Sequence, residues 1–387
     1  MNSFSKTINP ERILKASDTI TQTPAFVYDE TVVIDRLIAL SEVRSNSGCK
    51  ILYSIKAAPL TGLLKSIAEY VDGFSASSLF ECQIAKEILG NKGSVHITSP
   101  GLREEDVKSI VDTADYISFN SMSQLQQYKS IVNKKLNCGL RLNPEKSFAR
   151  DERYDPCRQY SKLGIPVSVV ADNNLEGIQG FHLHNNCESH DFSELKQTLE
   201  GVYELLDSEL ETMQWINLGG GYFIDDAEQL RELEKIIKNL KDKYTLDVFI
   251  EPGKGIVGSA GFLVAAVVDI FESDGKEIAI LDTTVNHLPE VFEYQYKPHI
   301  LQENPAGEYE YRLAGCSCLS GDLFGDYRFE KALEIGSRVT FKNVGAYMLV
   351  KANMFNGINL PIVNILKPDE TLVLEKEFTY ADFRAKH

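Results

Sequence analysis

The sequence lacks the long apolar segments that mark membrane-spanning or exported proteins. None of the apolar runs in the 387-residue chain approaches the roughly 18 residues that cross a bilayer. The stretch MNSFSKTINPERILKASD has no apolar core of the kind that a signal peptide needs. We therefore expect a cytoplasmic protein without a membrane partner.

Cysteine pairs and basic residues are also scarce. The seven cysteines are scattered and include no CxxC pair, which argues against a zinc ribbon or a disulfide framework and fits a reducing compartment. Lysine and arginine number 40 against 56 acidic residues, and the net charge of −16 argues against a nucleic-acid partner. A small-molecule substrate is the remaining expectation.

What the sequence does contain is a strand-and-helix rhythm. Short runs of β-branched and other apolar residues recur through the first two-thirds of the chain, and the segments between them carry apolar residues at helical spacing. The runs are KILYSIKA, GFSAS, SVHITSP, DYISFNS, CGLRLNP, IQGFHLHNN, WINLGGGY and DVFIEPGKG. Eight such strands predict a (β/α)8 TIM-type barrel, with an open doubly wound sheet as the alternative. The barrel is favoured because polar, Gly- and Pro-rich residues follow nearly every strand.

The rhythm changes after about Gly261, where strands follow one another without comparable helices. This pattern predicts a second, mostly antiparallel β domain. We expect the barrel to span 31–264. Residues 1–30 and 265–387 would form the β domain, with the opening strand AFVYDE joining it.

Several strand ends carry residues suited to chemistry. Lys56 ends the first strand, where desolvation would favour a neutral amine that can condense with an aldehyde, although a lysine at a barrel rim is often only structural. Gly219, Gly220 and Gly221 follow the seventh strand, where backbone N–H groups could hold a phosphate. The eighth strand ends in Glu251-Pro252-Gly253-Lys254, which adds a carboxylate and further backbone donors.

Two histidines and two C-terminal motifs complete the candidate residues. His182 and His184 alternate on one strand face, and packing against a flat ring is a better prediction than zinc because no third ligand is evident. In the C-terminal domain, CSCLSGDLFGDY and GAYM with FNG are turns and strands whose function the residues alone do not specify.

Together these motifs resemble the fold-type III pyridoxal-phosphate (PLP) decarboxylases, the alanine-racemase-like family that includes ornithine, arginine and diaminopimelate decarboxylases. The resemblance runs from about Thr23 to Pro361, with the motifs in the family's order. It implies that Lys56 carries PLP, that His184 stacks on its ring and that Glu251 contacts the pyridine nitrogen. The implied phosphate contacts are the glycine turn Gly219, Gly220 and Gly221 and the side chain of Tyr347, and Gly253 and Lys254 are further expected cofactor contacts. It also implies a homodimer with active sites at the subunit interface, in which Cys318 from the partner subunit is the catalytic acid.

Within this family, CLSGDLFGDY, HNNCE and YKP are most similar to the carboxynorspermidine/carboxyspermidine decarboxylase group. The chain departs from the diaminopimelate enzymes at Leu319, where they have a glutamate, and at Lys254. Asn186-Cys187 replaces the family's Gly-Ser, and a cysteine is a poorer phosphate donor than a serine. The expected reaction is decarboxylation of carboxynorspermidine or carboxyspermidine in polyamine biosynthesis. Cys318, Asp322, Glu290 and Asp326 are the candidate substrate contacts.

Two other functions stay open at this point. One is a diaminopimelate, ornithine or arginine decarboxylase of the same fold. The other is a non-catalytic PLP-binding relative. Retention of Lys56, Glu251, Cys318 and Asp322 together favours an active enzyme.

Overall fold

The computed structural model describes residues 9–132 and 135–387, and these form two compact units. One unit comprises 34–59 and 64–256, and the other comprises 9–33, 60–63 and 257–387. Residues 1–8, part of the stretch considered above for a signal peptide and of the expected segment 1–30, lie outside the described residues.

The first unit is a closed parallel barrel. Its strands are Lys50–Ser54, Gly73–Ala76, Ser94–Ser99, Tyr116–Phe119, Asn137–Asn143, Gly180–Leu183, Trp215–Asn217 and Asp247–Ile250. Each pairs in parallel with its sequence neighbour, and the eighth pairs with the first, so the sheet closes. The short strand Ile165–Pro166 adds to the fifth. This confirms the predicted (β/α)8 barrel.

Helices precede, separate or follow these strands. They are Glu30–Ser47, Thr61–Ala68, Leu79–Leu89, Glu104–Ile110, Met122–Val132, Val167–Ala171, Ser193–Leu210, Ala227–Lys243 and Lys254–Val257. Single 3-10 turns lie at Ile55–Ala57, Glu152–Tyr154 and Gly258–Ala260.

The helix Ala227–Lys243 shows how the sequence specifies these elements. Its N-cap Asp226 accepts hydrogen bonds from the N–H groups of Glu228 and Gln229. Its buried face repeats at helical spacing and consists of Leu230, Leu233, Ile236, Ile237 and Leu240. Burying each of these side chains contributes about 1.5–3 kcal/mol, so packing rather than helix propensity holds the helix.

Aromatic side chains fill part of the barrel interior. Trp215 starts the seventh strand and packs with Leu52 and Phe249, while His96 stacks on Tyr116 at a ring-centroid distance of 4.0 Å. Gly139 and Gly180 lie directly against the Trp215 indole, where any Cβ would collide with it. These two strand glycines therefore make room for the aromatic filling.

The second unit contains an eight-stranded, mostly antiparallel sheet. Its strands are Ala25–Asp29, Gly261–Ser273, Lys276–Leu281, Tyr309–Ala314, Leu323–Phe329, Arg338–Lys342, Ile362–Leu366 and Leu372–Lys376. The strand Ala25–Asp29 pairs antiparallel with residues 261–264 and parallel with Ile362–Leu366. Short helices lie at Pro10–Thr19, Pro289–Tyr294, Met348–Lys351 and Tyr380–Ala385, with a 3-10 turn at Phe355–Gly357.

The core of this sheet packs against the first helix. Ile13, Ala16 and Ile20 from Pro10–Thr19 lie in one buried cluster with Phe262 and Val264. The second unit thus has an apolar core of its own. Across the described ranges 9–132 and 135–387, every helix is too short or too polar to cross a bilayer.

Candidate active site

Polar side chains gather where the barrel strands end. Lys56 follows the first strand, His184 the sixth, and Glu251 the eighth, while Asn217 is the last residue of the seventh. In a closed parallel barrel the carboxyl ends of all strands meet at one face. The sequence-predicted lysine, histidine and carboxylate are therefore brought to the same end of the barrel.

Lys56 lies in the single 3-10 turn Ile55–Ala57, between buried Ile55 and Ala57. Its side chain has accessible surface, but protein surrounds it on most sides, and this desolvation lowers its pKa from the ordinary lysine value. The nearby Glu251 carboxylate opposes the effect, and Arg141 adds to it. A lowered pKa makes the neutral, nucleophilic amine more available than on a solvated lysine.

Glu251 is buried and held by its neighbours on two strands. Its Oε1 accepts a hydrogen bond of 2.7 Å from Asn217 Nδ2, and its Oε2 lies 3.6 Å from His182 Nε2. Burial lowers the pKa of His182 to about 4, so this imidazole is neutral near pH 7. The carboxylate thus has a defined orientation inside the barrel.

The glycine triplet makes a tight turn against the neighbouring strand ends. Gly219 and Gly221 have φ of +68° and +94°, which side chains rarely adopt. A Cβ on Gly220 would collide with the Glu251 carbonyl, and one on Gly221 with the Asn186 carbonyl. The Glu251 N–H donates to the Gly219 carbonyl at 2.7 Å. Only glycine lets this turn pass so close to its neighbours.

His184 is tied to the same turn. Its Nδ1 accepts a hydrogen bond of 3.1 Å from the Gly220 N–H, which leaves the ring proton on Nε2. Burial holds the pKa of His184 well below its usual value, so the ring is neutral. The imidazole is therefore fixed in both tautomer and orientation.

The segment after the eighth strand is anchored to the first strand. Gly253 lies where a Cβ would press on the side chains of Ser54 and Ala57, and the Ser54 N–H donates to the Pro252 carbonyl. Lys254 is ion-paired with Glu188 in the loop after the sixth strand. Its positive charge is thus partly compensated by that loop.

The Asn186-Cys187 segment, where the chain departs from the pattern of the family that it resembles, is also tightly bonded. Asn186 Nδ2 donates to Glu194 Oε2, which also accepts from Ser189 Oγ at 2.6 Å. The Cys187 N–H donates to Asn186 Oδ1 at 2.8 Å. Asn186 therefore organises this loop through its side chain, which a glycine could not do.

Three residues of this region were missed by the sequence reasoning. Arg141 is buried between Leu140 and Leu142 in the fifth strand, and its guanidinium donates to the His184 carbonyl at 3.4 Å. Glu81 accepts a hydrogen bond of 2.6 Å from the Ser77 N–H. Its carboxylate raises the pKa of Lys56 and so opposes the effect of burial. Asn217 is the third. The alternation of Arg141 with two leucines was a usable signal, because it places the arginine on the opposite strand face.

In the second unit, Cys318 lies on an exposed loop after the strand Tyr309–Ala314. Its N–H donates to Asn356 Oδ1 at 2.8 Å, and the Cys316 N–H donates to the Thr283 carbonyl at 2.9 Å. The CSCLSGD and FNG motifs are thus joined directly. This contact explains why an asparagine with φ of +56° sits in FNG.

Asp322, a predicted substrate contact, is buried at 2% exposure and engaged by its own loop. Its carboxyl group accepts hydrogen bonds from the Val285 N–H at 2.7 Å, the Ser317 N–H at 3.0 Å and the Ser317 hydroxyl. Gly315 lies so close that any Cβ would collide with this carboxyl group. Asp322 therefore fixes the shape of the cysteine loop.

The other predicted residues of the second unit have varied surroundings. Glu290 is buried, with Lys351 Nζ at 3.4 Å. Asp326 is half-buried between Arg312 at 2.7 Å and Lys276 at 2.6 Å, and these cations hold its pKa at about 2. Tyr347 is half-buried with a left-handed backbone, φ +66°.

Comparison with known proteins identifies relatives over nearly the whole chain. Residues 34–258, more than half of it, match the family described as "Pyridoxal-dependent decarboxylase, pyridoxal binding domain". A carboxynorspermidine/carboxyspermidine decarboxylase from Campylobacter jejuni is 35% identical, covering 95% of this chain and 98% of that protein. A carboxyaminopropylagmatine decarboxylase from Synechocystis sp. is 32% identical, covering 93% and 94%.

Solved structures give the same result. The crystal structure of carboxynorspermidine decarboxylase from Campylobacter jejuni in complex with norspermidine superimposes with a TM-score of 0.88 at 32% identity, covering 95% of this chain and 100% of that one. The predicted enzyme class and the cofactor, pyridoxal phosphate, are confirmed by these matches. The chain belongs to the pyridoxal-dependent decarboxylases, in the group that contains the carboxynorspermidine/carboxyspermidine decarboxylases.

Proposed function

We propose that this protein decarboxylates carboxynorspermidine, carboxyspermidine or both, forming norspermidine and spermidine. The observation that carries the proposal is the pairing of a desolvated Lys56 with buried Glu251 at the end of the barrel where the glycine turn lies. Both relatives named above act, by their names, on carboxylated polyamines, which supports this substrate class.

The residues present fit pyridoxal phosphate. The glycine turn brings backbone close to the strand ends where a Cβ would not fit, as a phosphate cradle requires. A flat neutral imidazole, a buried carboxylate and an amine of lowered pKa surround that turn. When bound, the cofactor supplies an electron sink for breaking the bond between Cα and the carboxylate.

The roles proposed for the barrel residues follow from their surroundings. Lys56, as a neutral amine, would hold the cofactor aldehyde, and Glu251 would hold a proton at the pyridine nitrogen. His184 would lie on the ring face, since the Gly220 N–H fixes its orientation. Gly219, Gly220, Gly221, Gly253, Lys254 and Tyr347 are the proposed phosphate contacts.

Cys318 is the proposed acid that returns a proton to Cα. Its thiol lies on an exposed loop that Asn356 and Asp322 hold in shape, so it can be presented to a substrate. Glu290, a buried carboxylate with Lys351 Nζ at 3.4 Å, is a proposed contact for an ammonium group of the substrate. Asp322 and Asp326 already accept bonds from protein donors, which supports a positioning part for both.

A second candidate substrate is carboxyaminopropylagmatine, favoured by the relative at 32% identity. An agmatine moiety ends in a guanidinium, whereas norspermidine and spermidine end in primary amines. Discrimination between such ends depends on whether buried acceptors match the donor geometry.

A substrate panel with a lysine control tests the proposal. Purified protein plus PLP should absorb visible light and release CO2 from a carboxylated polyamine at least about tenfold faster than from diaminopimelate, ornithine or arginine. K56A should lose both the absorbance and the activity, whereas K65A, altered at an exposed position of the helix Thr61–Ala68, should keep both. Wild-type protein that never absorbs visible light with PLP would refute the proposal.

We also propose a homodimer in the cytoplasm in which each site takes Cys318 from the partner subunit. The free state of all seven cysteines supports a reducing compartment. Mixing inactive K56A and C318A proteins under subunit exchange should restore about a quarter of wild-type activity, because half of the dimers would carry one intact site. No recovery despite exchange would place Cys318 in its own subunit's site.

A further inference from the structure

Asn217 joins two parts of the barrel site through one side chain. It ends the seventh strand, is 2% exposed, and lies two residues before the turn glycine Gly219. Its Nδ2 donates to Glu251 Oε1 at 2.7 Å, and its Oδ1 accepts from the Gly219 N–H at 2.9 Å. The acid of the eighth strand and the backbone of the glycine turn are therefore linked by a single amide.

An amide of this size can make both bonds without gaining or losing a proton. Its nitrogen offers a donor to the carboxylate, and its oxygen offers an acceptor to the N–H. An aspartate at 217 could accept from Gly219, but it would set one carboxyl group against another. A leucine of similar shape could make neither bond.

The other neighbours of Glu251 orient its carboxylate less directly than Asn217 does. His182 Nε2 is 3.6 Å from Oε2, beyond a good hydrogen bond, and it has no hydrogen-bond partner in the structure. Arg141 and Lys56 act on Glu251 through their positive charge. Asn217 is thus the side chain whose hydrogen bond sets the carboxylate's direction.

We propose that Asn217 is a positioning residue that aligns Glu251 and the Gly219 peptide together, so that the acid facing the cofactor ring and the turn facing its phosphate keep one fixed spacing. This inference rests on the proposed part of Glu251 at the pyridine nitrogen. It deepens the proposed function, because it names a residue whose loss should alter the ring's protonation without touching substrate.

Two variants at 217 and one control test the inference. N217L should weaken PLP binding and lower kcat by about tenfold to a hundredfold at every pH, as expected for losing a hydrogen bond to a charged group. N217D should stay within about threefold of wild type at pH 6, where the new carboxyl group is protonated and can donate to Glu251. As the pH rises and that proton leaves, the ratio of N217D to wild-type kcat should fall by about tenfold.

The apo-protein supplies a readout independent of turnover. Burial and Glu251 would raise the pKa of a carboxyl group at 217 above its unfolded value, so the folded state binds a proton that the unfolded chain has lost. The melting temperature of apo N217D relative to wild type should therefore fall as pH rises through that window. N137D, altered at the start of the fifth strand where Asn137 donates to the Asp115 carbonyl, should give a pH-independent kcat ratio.

The outcomes separate the two proposals. Wild-type protein that fails to bind PLP would overturn the proposed function, while the apo melting series would still test the link between Asn217 and Glu251. An active wild type with a flat N217D ratio and a flat melting difference would overturn the inference alone. Wild-type kcat and PLP affinity in N217L would do the same.

Discussion

Replacing Asp322 distinguishes two roles for this residue, holding the cysteine loop in shape or binding an ammonium group of the substrate. D322A would remove the acceptor of three hydrogen bonds, from the Val285 N–H and from the N–H and hydroxyl of Ser317. A buried donor without a partner costs about 1–3 kcal/mol. Val285 is buried and would bear that full cost, whereas half-buried Ser317 could in part turn to water. We therefore expect D322A to lower the free energy of unfolding by about 2–4 kcal/mol.

The isosteric variant D322N sharpens the test. Its remaining oxygen can accept from the Val285 N–H, but its NH2 group cannot accept from Ser317. We therefore expect D322N to lower the free energy of unfolding by only about 1–2 kcal/mol and to make the cysteine loop more mobile. At roughly 2–4 °C per kcal/mol for a unit of this size, D322A should lower the melting temperature by about 5–15 °C and D322N by about 2–8 °C.

Kinetics then separate loop positioning from substrate binding. If Asp322 holds the loop, D322N should lower kcat and leave KM within about threefold, because Cys318 is misplaced while substrate still binds. If Asp322 instead binds a distal ammonium, KM should rise by tenfold or more, and differently for each polyamine. Raised KM with unchanged kcat and melting temperature would refute the loop assignment.

Three further predictions concern the barrel site and the cysteine. G221A should raise the Kd for PLP at least about tenfold, because Gly221 has φ +94° and abuts the Asn186 carbonyl. The control G201A, in an open helical position, should bind PLP normally. Equal affinities of the two variants would contradict a phosphate site at the glycine turn. The rate of PLP uptake by apo-protein, measured by stopped-flow absorbance, should rise with pH and level off below the ordinary lysine pKa of about 10.4, because burial lowers the pKa of Lys56. A midpoint at the ordinary lysine pKa would refute the desolvation of Lys56. C318A should bind PLP normally yet turn over slowly or release a wrongly protonated product, and unchanged kinetics and product would remove Cys318 from the mechanism.

The barrel could be predicted from the sequence because its signals are local. Each strand is a short, mostly apolar run, and helices such as Leu79–Leu89 begin at a serine N-cap and end at a glycine. The strand Leu323–Phe329 was harder, because its glycine and two charged residues resemble a turn as much as a strand. Its pairing with Tyr309–Ala314 over six registered residues is a tertiary effect that local propensity does not contain.

The site residues divide in the same way. Lys56, Glu251 and the glycine triplet could be singled out because each stands at the end of a strand in a recognisable motif. Asn217 could not, since its importance comes from what faces it across the barrel, and Arg141 was marked only by its alternation with two leucines. Asn217 meets Glu251 only because the seventh and eighth strands pair in register, with Asn217 beside Phe249, which brings the following acid within reach of the amide.

Asp322 illustrates the same difference, because the sequence predicts a substrate contact there and the structure adds hydrogen bonds from the protein itself. A carboxylate in a polyamine enzyme suggests an ammonium partner, and the sequence offers no view of competing donors. The fold supplies two such donors from Ser317 in the same loop and a third from the Val285 N–H, and these bonds give the carboxyl group a fixed orientation. Charge alone therefore does not separate substrate contacts from residues that hold a loop in place, and the kcat, KM and melting temperature of D322N together decide which of these Asp322 is.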